Sequence, residues 1–430
     1  MLVFIGILFI FLLLIGIPIA FVVGIISLIA FLLLGQPLLL SVVAQRMFTG
    51  LDMFTIMAIP FFFLAAEVMK ESKMTQDIVD FVDACVGSIR GGLAHVNIVA
   101  SVFFAGITGS AISDVAALGS ILIPTMEEAG YGKKFATAIT VSSSIIGPII
   151  PPSIMMVLYG AIMQVSIAGL FLGGLIPGFI FAIMLMILVY FFSVTGRYEI
   201  PEPKKSFSLK IFLNEFKKGT LALAMPAIIL GGILSGVFTP TEAAAVASIY
   251  AFIVGFLIKR TFKIKNVPEI FKKVSINTSI VFMVLATASI FSWYLGLERI
   301  PQMIADAFIQ LSENPYIILF LINILLIIVG MFMDIGAAVI VMAPIFAPTV
   351  VSLGVHPLHF GIVMVINLLI GLTTPPVGPC IFAASGITGL KIEDISIALI
   401  PFYIVQLALL FVITYIPALT LFLPRFFGYI

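Results

Sequence analysis

Hydrophobic positions in this chain form long, nearly uninterrupted runs, so the informative places are those where polar residues break them. The runs predict helices rather than strands, since about 20 apolar residues at 1.5 Å each suffice to cross a bilayer. The sharpest break runs from Gly106 to Ser153, opening on GITGSAISD and closing on SSSIIGPIIPPS. Every unpaired backbone group in hydrocarbon is costly, so irregular polar backbone survives there only when buried in protein or lining a cavity. This stretch is therefore a candidate site.

In chain order, the pattern predicts a first span to Leu34, interrupted at Gly16 and Pro18. With no basic stretch before it and no small-residue cleavage site, it reads as a retained span rather than a signal. Ser41 to Gly50 is a short mixed connector, and Phe54 to Met69 crosses if tilted. Glu71 to Arg90 sets Met74, Ile78, Phe81, Val82 and Cys85 on one stripe, the pattern of an interfacial helix. Leu93 to Ala105 and Ala111 to Met126, joined by GITGS, form a re-entrant hairpin. Phe135 to Gln164 is a broken helix that stops near Ser144 and resumes from Ser153, because Pro148, Pro151 and Pro152 cannot donate backbone hydrogen bonds. Ala168 to Val194 is a span, and the polar stretch Arg197 to Lys218 separates two halves. Spans at Thr220 to Gly236 and Pro240 to Ile258, a basic loop at Lys259 to Lys273 and a span at Ile276 to Leu295 lead into a second series. That series holds an amphipathic stretch from Arg299 to Leu311, runs from Pro315 to Gly330 and Ile335 to Val351 joined by GMFMD, a helix broken at GLTTPPVGP, and a last span from Ile395 to Phe427.

The two series are one pattern used twice. A shift of 224 residues superposes Pro124 and Thr125 on Pro348 and Thr349, Gly130 on Gly354, Gly147 on Gly371, Pro151 and Pro152 on Pro375 and Pro376, and Pro177 on Pro401. A two-residue gap upstream brings Gln76, Ile78 and Asp80 onto Gln302, Ile304 and Asp306. The expected division is an N-terminal span and connector at 1–50 and a first repeat at 51–196, with arm 71–90, hairpin 91–128, broken helix 133–164 and span 168–196. A linker and two central scaffold spans occupy 197–275. The second repeat, 276–430, has arm 299–312, hairpin 315–352, broken helix 357–388 and final span 395–427. With hairpins contributing no crossing, five crossings separate the repeats, so the second is inverted. This topology leaves only Arg46, Arg299 and Arg425 of the 21 Lys and Arg on one face, and the crowded face is then cytoplasmic.

Composition narrows the class. Of 430 residues, 62% are hydrophobic and 10% charged, which excludes an ordinary soluble domain. The net charge of +1 carries no basic patch able to track phosphates, so nucleic acid is not a partner. Cys85 and Cys380 lie far apart without metal-ligand spacing and read as packing residues. The fold class is an all-α polytopic membrane protein of two inverted-topology repeats, each with a re-entrant helical hairpin and a broken transmembrane helix. That is the organisation of a secondary transporter, in which half-helix N-termini attract anionic substrate groups and unwound carbonyls hold small cations.

GITGSAISDVAALGSILIPTM, GPIIPPSIMMVLYG, SGVFTPTEAAAVA and GLTTPPVGP also resemble, across nearly the whole chain, the large membrane subunit of tripartite ATP-independent periplasmic (TRAP) transporters of the ion transporter superfamily. The resemblance implies a non-enzymatic importer in the bacterial inner membrane, driven by Na+ as coupling ion and working by an elevator movement. Its implied cargo is a small organic acid, such as a dicarboxylate, a sialic acid or another sugar acid. A periplasmic substrate-binding protein would deliver it, and a small four-helix membrane subunit would complete the transporter. Carried over, sodium falls on Thr108, Gly109, Ser142, Ser143, Ser144 and Gly147 in the first repeat, and on Asp334, Thr373, Thr374, Pro375 and Gly378 in the second. Substrate falls on Thr108, Ser110, Ser153, Asp334 and Thr374.

Each polar residue also has a structural reading. Ser110 and Asp334, repeat equivalents, open the return arms of their hairpins and read as N-caps as well as ligands. Asp114 reads equally as a buried hydrogen-bonding group or an ion contact, while Thr239, Pro240 and Glu242 spell a capping box. Glu67, Asn277, Asn323 and Asn367 read as interhelical contacts, and His356 and His359 as residues of a periplasmic loop. The basic loops read as orientation signals and contacts with membrane lipids. An aspartyl intramembrane protease would need two carboxylates sharing a proton, yet the repeat leaves Asp114 opposite Ala338. A passive channel would show no dependence on a sodium gradient.

Overall fold

A computed structural model of the chain describes residues 2–34, 38–202, 208–261, 263–312 and 314–430, side chains at 2–3, 14, 38, 105–108, 305, 308, 309 and 311 excepted. Its described elements are helices. The first are α1 (Leu2–Leu14), α2 (Ile19–Leu33), α3 (Leu38–Leu51) and α4 (Ala58–Glu71). Next come α5 (Met74–Val86), α6 (Gly92–Thr108), α7 (Ala111–Glu128), α8 (Lys133–Ser144), α9 (Ile154–Met163) and α10 (Ile167–Thr195). The middle of the chain holds α11 (Leu209–Leu234) and α12 (Pro240–Ile253). The second series is α13 (Val267–Leu297), α14 (Ile300–Leu311), α15 (Pro315–Phe332), α16 (Ile335–Ser352), α17 (Pro357–Leu372), α18 (Pro379–Thr388), α19 (Ile392–Tyr415) and α20 (Ala418–Phe426). Among the described residues, seven helices are long and apolar enough to cross a membrane, or up to nine if each bent pair is one span.

The order α4 to α10 recurs as α13 to α19, and local details recur with it. Lys73 and Arg299, the residues before the two arms, both adopt left-handed backbone with φ of 54° and 53°. Their spacing matches the gapped register of the arms. Gly130 and Gly354, with φ of +98° and +87°, turn the chain out of each hairpin, where a side chain would be strained. Ser110 and Asp334 cap the return arms, and a cis Pro–Pro bond lies in each helix break.

Packing between the halves is crosswise. The return arm α7 packs on α18, and α16 packs on α9, so each hairpin lies against the distal half of the other repeat's broken helix. Likewise α10 packs on α17 and α19 on α8. Glycines allow the close approach: a Cβ on Gly173 would come within 2.4 Å of Ile362, and one on Gly361 within 2.3 Å of the Tyr159 ring. Small residues at helix contacts replace the hydrophobic drive that lipid removes. Outside, Ile183 and Ile187 of α10 and Ile397, Ile400 and Ile404 of α19 remain exposed, as a lipid-facing surface requires. The two arms are covered within the chain: α5 buries Met74, Ile78, Phe81 and Val82 against α6 and α11, and α14 lies on α16.

Several expectations change in detail. Ser41 to Gly50 lies within helix α3, which meets the following helix at a 59° bend. Its polar groups find partners near and far in sequence: Thr49 donates to the Gln45 carbonyl at 2.7 Å, Ser289 donates to the Arg46 carbonyl, and the Arg46 guanidinium sits 5.1 Å from the Trp293 ring centre. The last span divides at Pro417, and α20 folds back onto α10. His359 is no loop residue. It is buried in α17, with Nδ1 2.7 Å from Thr420 Oγ1 and Nε2 3.2 Å from the Thr414 carbonyl. His356 caps α17 by accepting the Leu358 N–H at 3.2 Å, and burial together with nearby Arg425 lowers its pKa. The basic loop does more than orient the chain, since Lys259 pairs with Asp77 and Lys273 with Glu67 at 2.8 Å. The capping box at Thr239 and Glu242 is present in full.

Candidate functional site

Each hairpin tip rests on the break of its own repeat's discontinuous helix. A Cβ on Gly109 would lie 3.3 Å from Ile154 Cγ1 and 3.5 Å from the Ile154 amide, so the first tip meets the start of α9. In the second repeat, the Gly378 N–H donates to the Met331 carbonyl at 3.2 Å, and a Cβ on Gly371 would fall 2.6 Å from the Gly330 backbone. Although α15 and α16 are each long enough to cross, their tip ends at a mid-helix break, as a re-entrant element does.

A cavity of about 600 Å³ opens where the tips converge. Gly109, Ser110 and Ser113 line it from the first hairpin, Asp334 and Gly336 from the second, and Ile154 and Leu158 from α9. The facing wall comes from α4 and α13, including Glu67, Lys70 and Asn277. Asp334 Oδ1 accepts the Gly336 N–H at 2.9 Å and the Ala337 N–H at 3.5 Å, so its carboxylate caps α16 at the cavity wall. Ser110 caps α7 more loosely, accepting the Ser113 N–H at 3.5 Å. The cavity thus gathers Ser110, Gly109 and Asp334 from the residues named in sequence, while the Thr108 side chain lies outside the described residues.

The remaining candidates fall around the two breaks. Ser142 Oγ accepts from Gln406 Nε2 at 3.2 Å; Thr373 Oγ1 donates to Gln406 Oε1 at 3.2 Å. Ser143 donates to Asn97 Oδ1 at 3.0 Å, and Ser144 to the Val141 carbonyl at 2.8 Å. Thr374 donates to the Ile370 carbonyl at 2.7 Å. Ser153 caps α9 and donates back to the Pro148 carbonyl; it is fully buried and does not line the cavity. Pro375 stands in the second break, and Gly378 opens α18 with φ of +54°. Asp114 is 1% exposed, and one of its oxygens lies 2.6 Å from where a Gly147 Cβ would be, which places this carboxylate against the first break. The set offers hydroxyl and carbonyl oxygens with one carboxylate near each break, a hard-oxygen environment of the kind alkali and alkaline-earth cations prefer.

Sequence reading missed Ser113 and Ser120, which also line the cavity. Their signal is present: with Ser110 and Ala117 they fall at helical spacing along one face of α7. It missed Gln406 too, because a lone Gln in a long span carries no local motif. Asn323, Asn367 and Glu67 are interhelical contacts as expected, with Asn367 Nδ2 donating to Asn323 Oδ1 at 2.9 Å.

Comparison with known proteins bears on the whole chain. Residues 6–419 match the family described as tripartite ATP-independent periplasmic transporter, DctM component. The sialic acid TRAP transporter large permease protein SiaM of Vibrio cholerae is 37% identical over 416 residues, covering 96% of both chains. The C4-dicarboxylate TRAP transporter large permease protein DctM of Pseudomonas aeruginosa is 38% identical, covering 92% of each. In fold alone, the crystal structure of the YdaH transporter of Alcanivorax borkumensis is similar with a TM-score of 0.64 at 14% identity, covering 89% of both chains. With full-length relatives of this kind and an apolar, multi-helix fold to match, the chain belongs to the DctM component family of tripartite ATP-independent periplasmic transporters, large permeases of the bacterial inner membrane.

Proposed function

We propose that this permease imports a small organic acid together with Na+, and that the cavity between the hairpin tips holds the substrate. The observation that carries this reading is the convergence of Ser110 and Asp334, from opposite repeats, on one cavity whose other wall is formed by different helices. Two half-helix N-termini meet there, a favourable setting for a carboxylate, while the oxygens at the two breaks suit sodium. The names of relatives, sialic acid and C4-dicarboxylate permeases, support an anionic organic cargo.

Alternation follows from a second cavity on the same boundary. It measures about 360 Å³ and is lined by Arg46, Gln164, Ser289 and Pro344. Along α13 the first cavity takes residues 274–281 and the second 285–292. Along α9 the same order holds, with Ile154 and Leu158 in the first and Ala161 to Gln164 in the second. An elevator movement of hairpins and broken helices past α4 and α13 would close one opening and enlarge the other. The first opens beside Lys70, on the basic face that positive-inside sorting makes cytoplasmic. A small four-helix subunit and a periplasmic binding protein complete the tripartite assembly, and an inverted relation of the two repeats places one hairpin entry on each side.

The test is uptake by proteoliposomes holding the permease with its small membrane subunit, supplied with the cognate binding protein loaded with its calorimetrically identified ligand. Uptake should require an inward sodium gradient and stop when potassium replaces sodium. Gradient-independent equilibration of the same ligand would overturn the reading in favour of a passive pore.

A further inference from the structure

Two cation sites built on separate repeats must communicate if the carrier is to move only when both are filled. Among the described residues, Ser144 at the first break hydrogen-bonds Cys380 just past the second, and a single amide touches both breaks. Gln406, in α19, is 0% exposed, its Nε2 donating to Ser142 Oγ at 3.2 Å while its Oε1 lies 3.2 Å from Thr373 Oγ1, a hydroxyl whose one proton it shares with the Ile370 carbonyl at 2.9 Å. Ser142 sits in the last turn of α8, and Thr373 is the C-cap of α17, so the amide joins the residues just before each break. Tyr403, one helical turn earlier, donates its hydroxyl to the Thr373 carbonyl, fixing the other polar group of that residue.

The bridge has no counterpart in the first repeat. At the 224-residue offset, Gln406 corresponds to Ala182 and Tyr403 to Phe179, neither of which can supply these hydrogen bonds. The chain carries this polar clamp once, from the span that packs on both α8 and α17. A cation drawing on the oxygen of either hydroxyl polarises the hydrogen bond that hydroxyl makes with the amide, and a buried amide left unpaired is costly.

We propose that Gln406 is the positioning residue that couples the two cation sites. An ion ordering one break aligns its hydroxyl and fixes the amide. The amide then holds the hydroxyl of the other break in place before the second ion arrives, and that prepaid ordering is positive cooperativity. This rests on the sodium-symport reading, and the test separates the two.

Sodium dependence is measured in the reconstituted complex for the wild type, Gln406→Asn, whose shorter amide reaches one partner at a time, and Gln406→Met, which reaches neither. The wild type should show a Hill coefficient approaching 2 for sodium, and both variants one near 1, with half-saturating sodium raised roughly 5-fold or more. Uptake at saturating sodium should remain, which a merely destabilised protein would not show. A folded variant that keeps the wild-type Hill coefficient overturns the coupling while leaving symport intact. A wild type without sodium dependence overturns symport and the coupling with it. Two variants of opposite chemistry guard against one failing to fold, and loss of both at a thermal stability equal to wild type would assign Gln406 to the sites themselves, also against a coupling role.

Discussion

The two breaks look alike in sequence, and the structure builds them differently. The first is sealed: every residue of 142–154 is buried, Ser153 ties the loop to the Pro148 carbonyl, and the side chain of Asp114 approaches Gly147. The second is more open, with residues 374–377 partly exposed, and it meets its hairpin backbone to backbone, Gly371 on Gly330 and Gly378 on Met331. The hairpin caps differ in the same sense, a hydroxyl at Ser110 and a carboxylate at Asp334. Duplicated architecture thus fixes where the breaks and tips fall, and individual side chains then divide the work between them. The first break meets its hairpin through a side chain, Asp114 on Gly147, and the second through glycine backbone, Gly371 on Gly330.

Glycine replacement separates these two modes most strongly. In Gly371→Ala the new methyl would meet Gly330 backbone at 2.6 Å, and neither partner can rotate away. We expect a stability loss of about 3 kcal/mol, read as a large drop in thermal midpoint in detergent. Gly147→Ala meets Asp114 Oδ2 at the same 2.6 Å, but a carboxylate can turn aside. A loss nearer 1 kcal/mol is expected, with the larger consequence in sodium affinity. Equal drops in midpoint would mean that the two breaks are closed in the same way after all.

The caps give the next largest contrast. Asp334→Ala removes a charged group and two capping bonds, so uptake should fall by roughly 100-fold, as charge-assisted bonds of about 3 kcal/mol imply. Ser110→Ala removes one long hydrogen bond and should cost only about 5-fold, in line with an ordinary cap of about 1 kcal/mol. Initial uptake rates decide it, and a Ser110 variant as impaired as the Asp334 variant would make the tips equivalent.

The smallest contrast lies at the entries to the broken helices, where Gly132 and His356 occupy equivalent positions. His356 accepts a backbone N–H through Nδ1, and burial with the nearby Arg425 charge holds its pKa below the ordinary value. A depressed histidine pKa means the unfolded chain binds the proton better. Its contribution is therefore fully present above the unfolded value near 6.5 and is lost as pH falls through and below it. Thermal stability should decline by less than about 1 kcal/mol between pH 7 and pH 5 from this group, and His356→Gly, which copies the first repeat, should remove that share. An unchanged pH profile in the variant would show the cap to be silent.

Much of this is legible in the sequence. Prolines that cannot donate hydrogen bonds located both breaks to within a few residues, with α8 ending at Ser144 and α18 beginning at Pro379. Ser110 and Asp334 were legible as caps because a short polar residue opening an apolar run has a local reason to be there. The helical character of Ser41 to Gly50 was not legible, since its polar groups are satisfied by Ser289 and Trp293, more than 240 residues away in sequence. The same holds for His359, whose partners Thr414 and Thr420 lie in the last two helices.

The sequence by itself determined the membrane class, the duplicated order of elements and the position of the break in each repeat's discontinuous helix. These depend on hydrophobic run length, on proline and glycine, and on capping, all of which act within a few residues. Only the tertiary structure decided which polar groups share a cavity, that α7 meets α18 while α16 meets α9, and that one amide at Gln406 spans both breaks. Such pairings depend on how helices cross, and in a chain where nearly every face is apolar, hydrophobic pattern cannot say which face turns to protein and which to lipid.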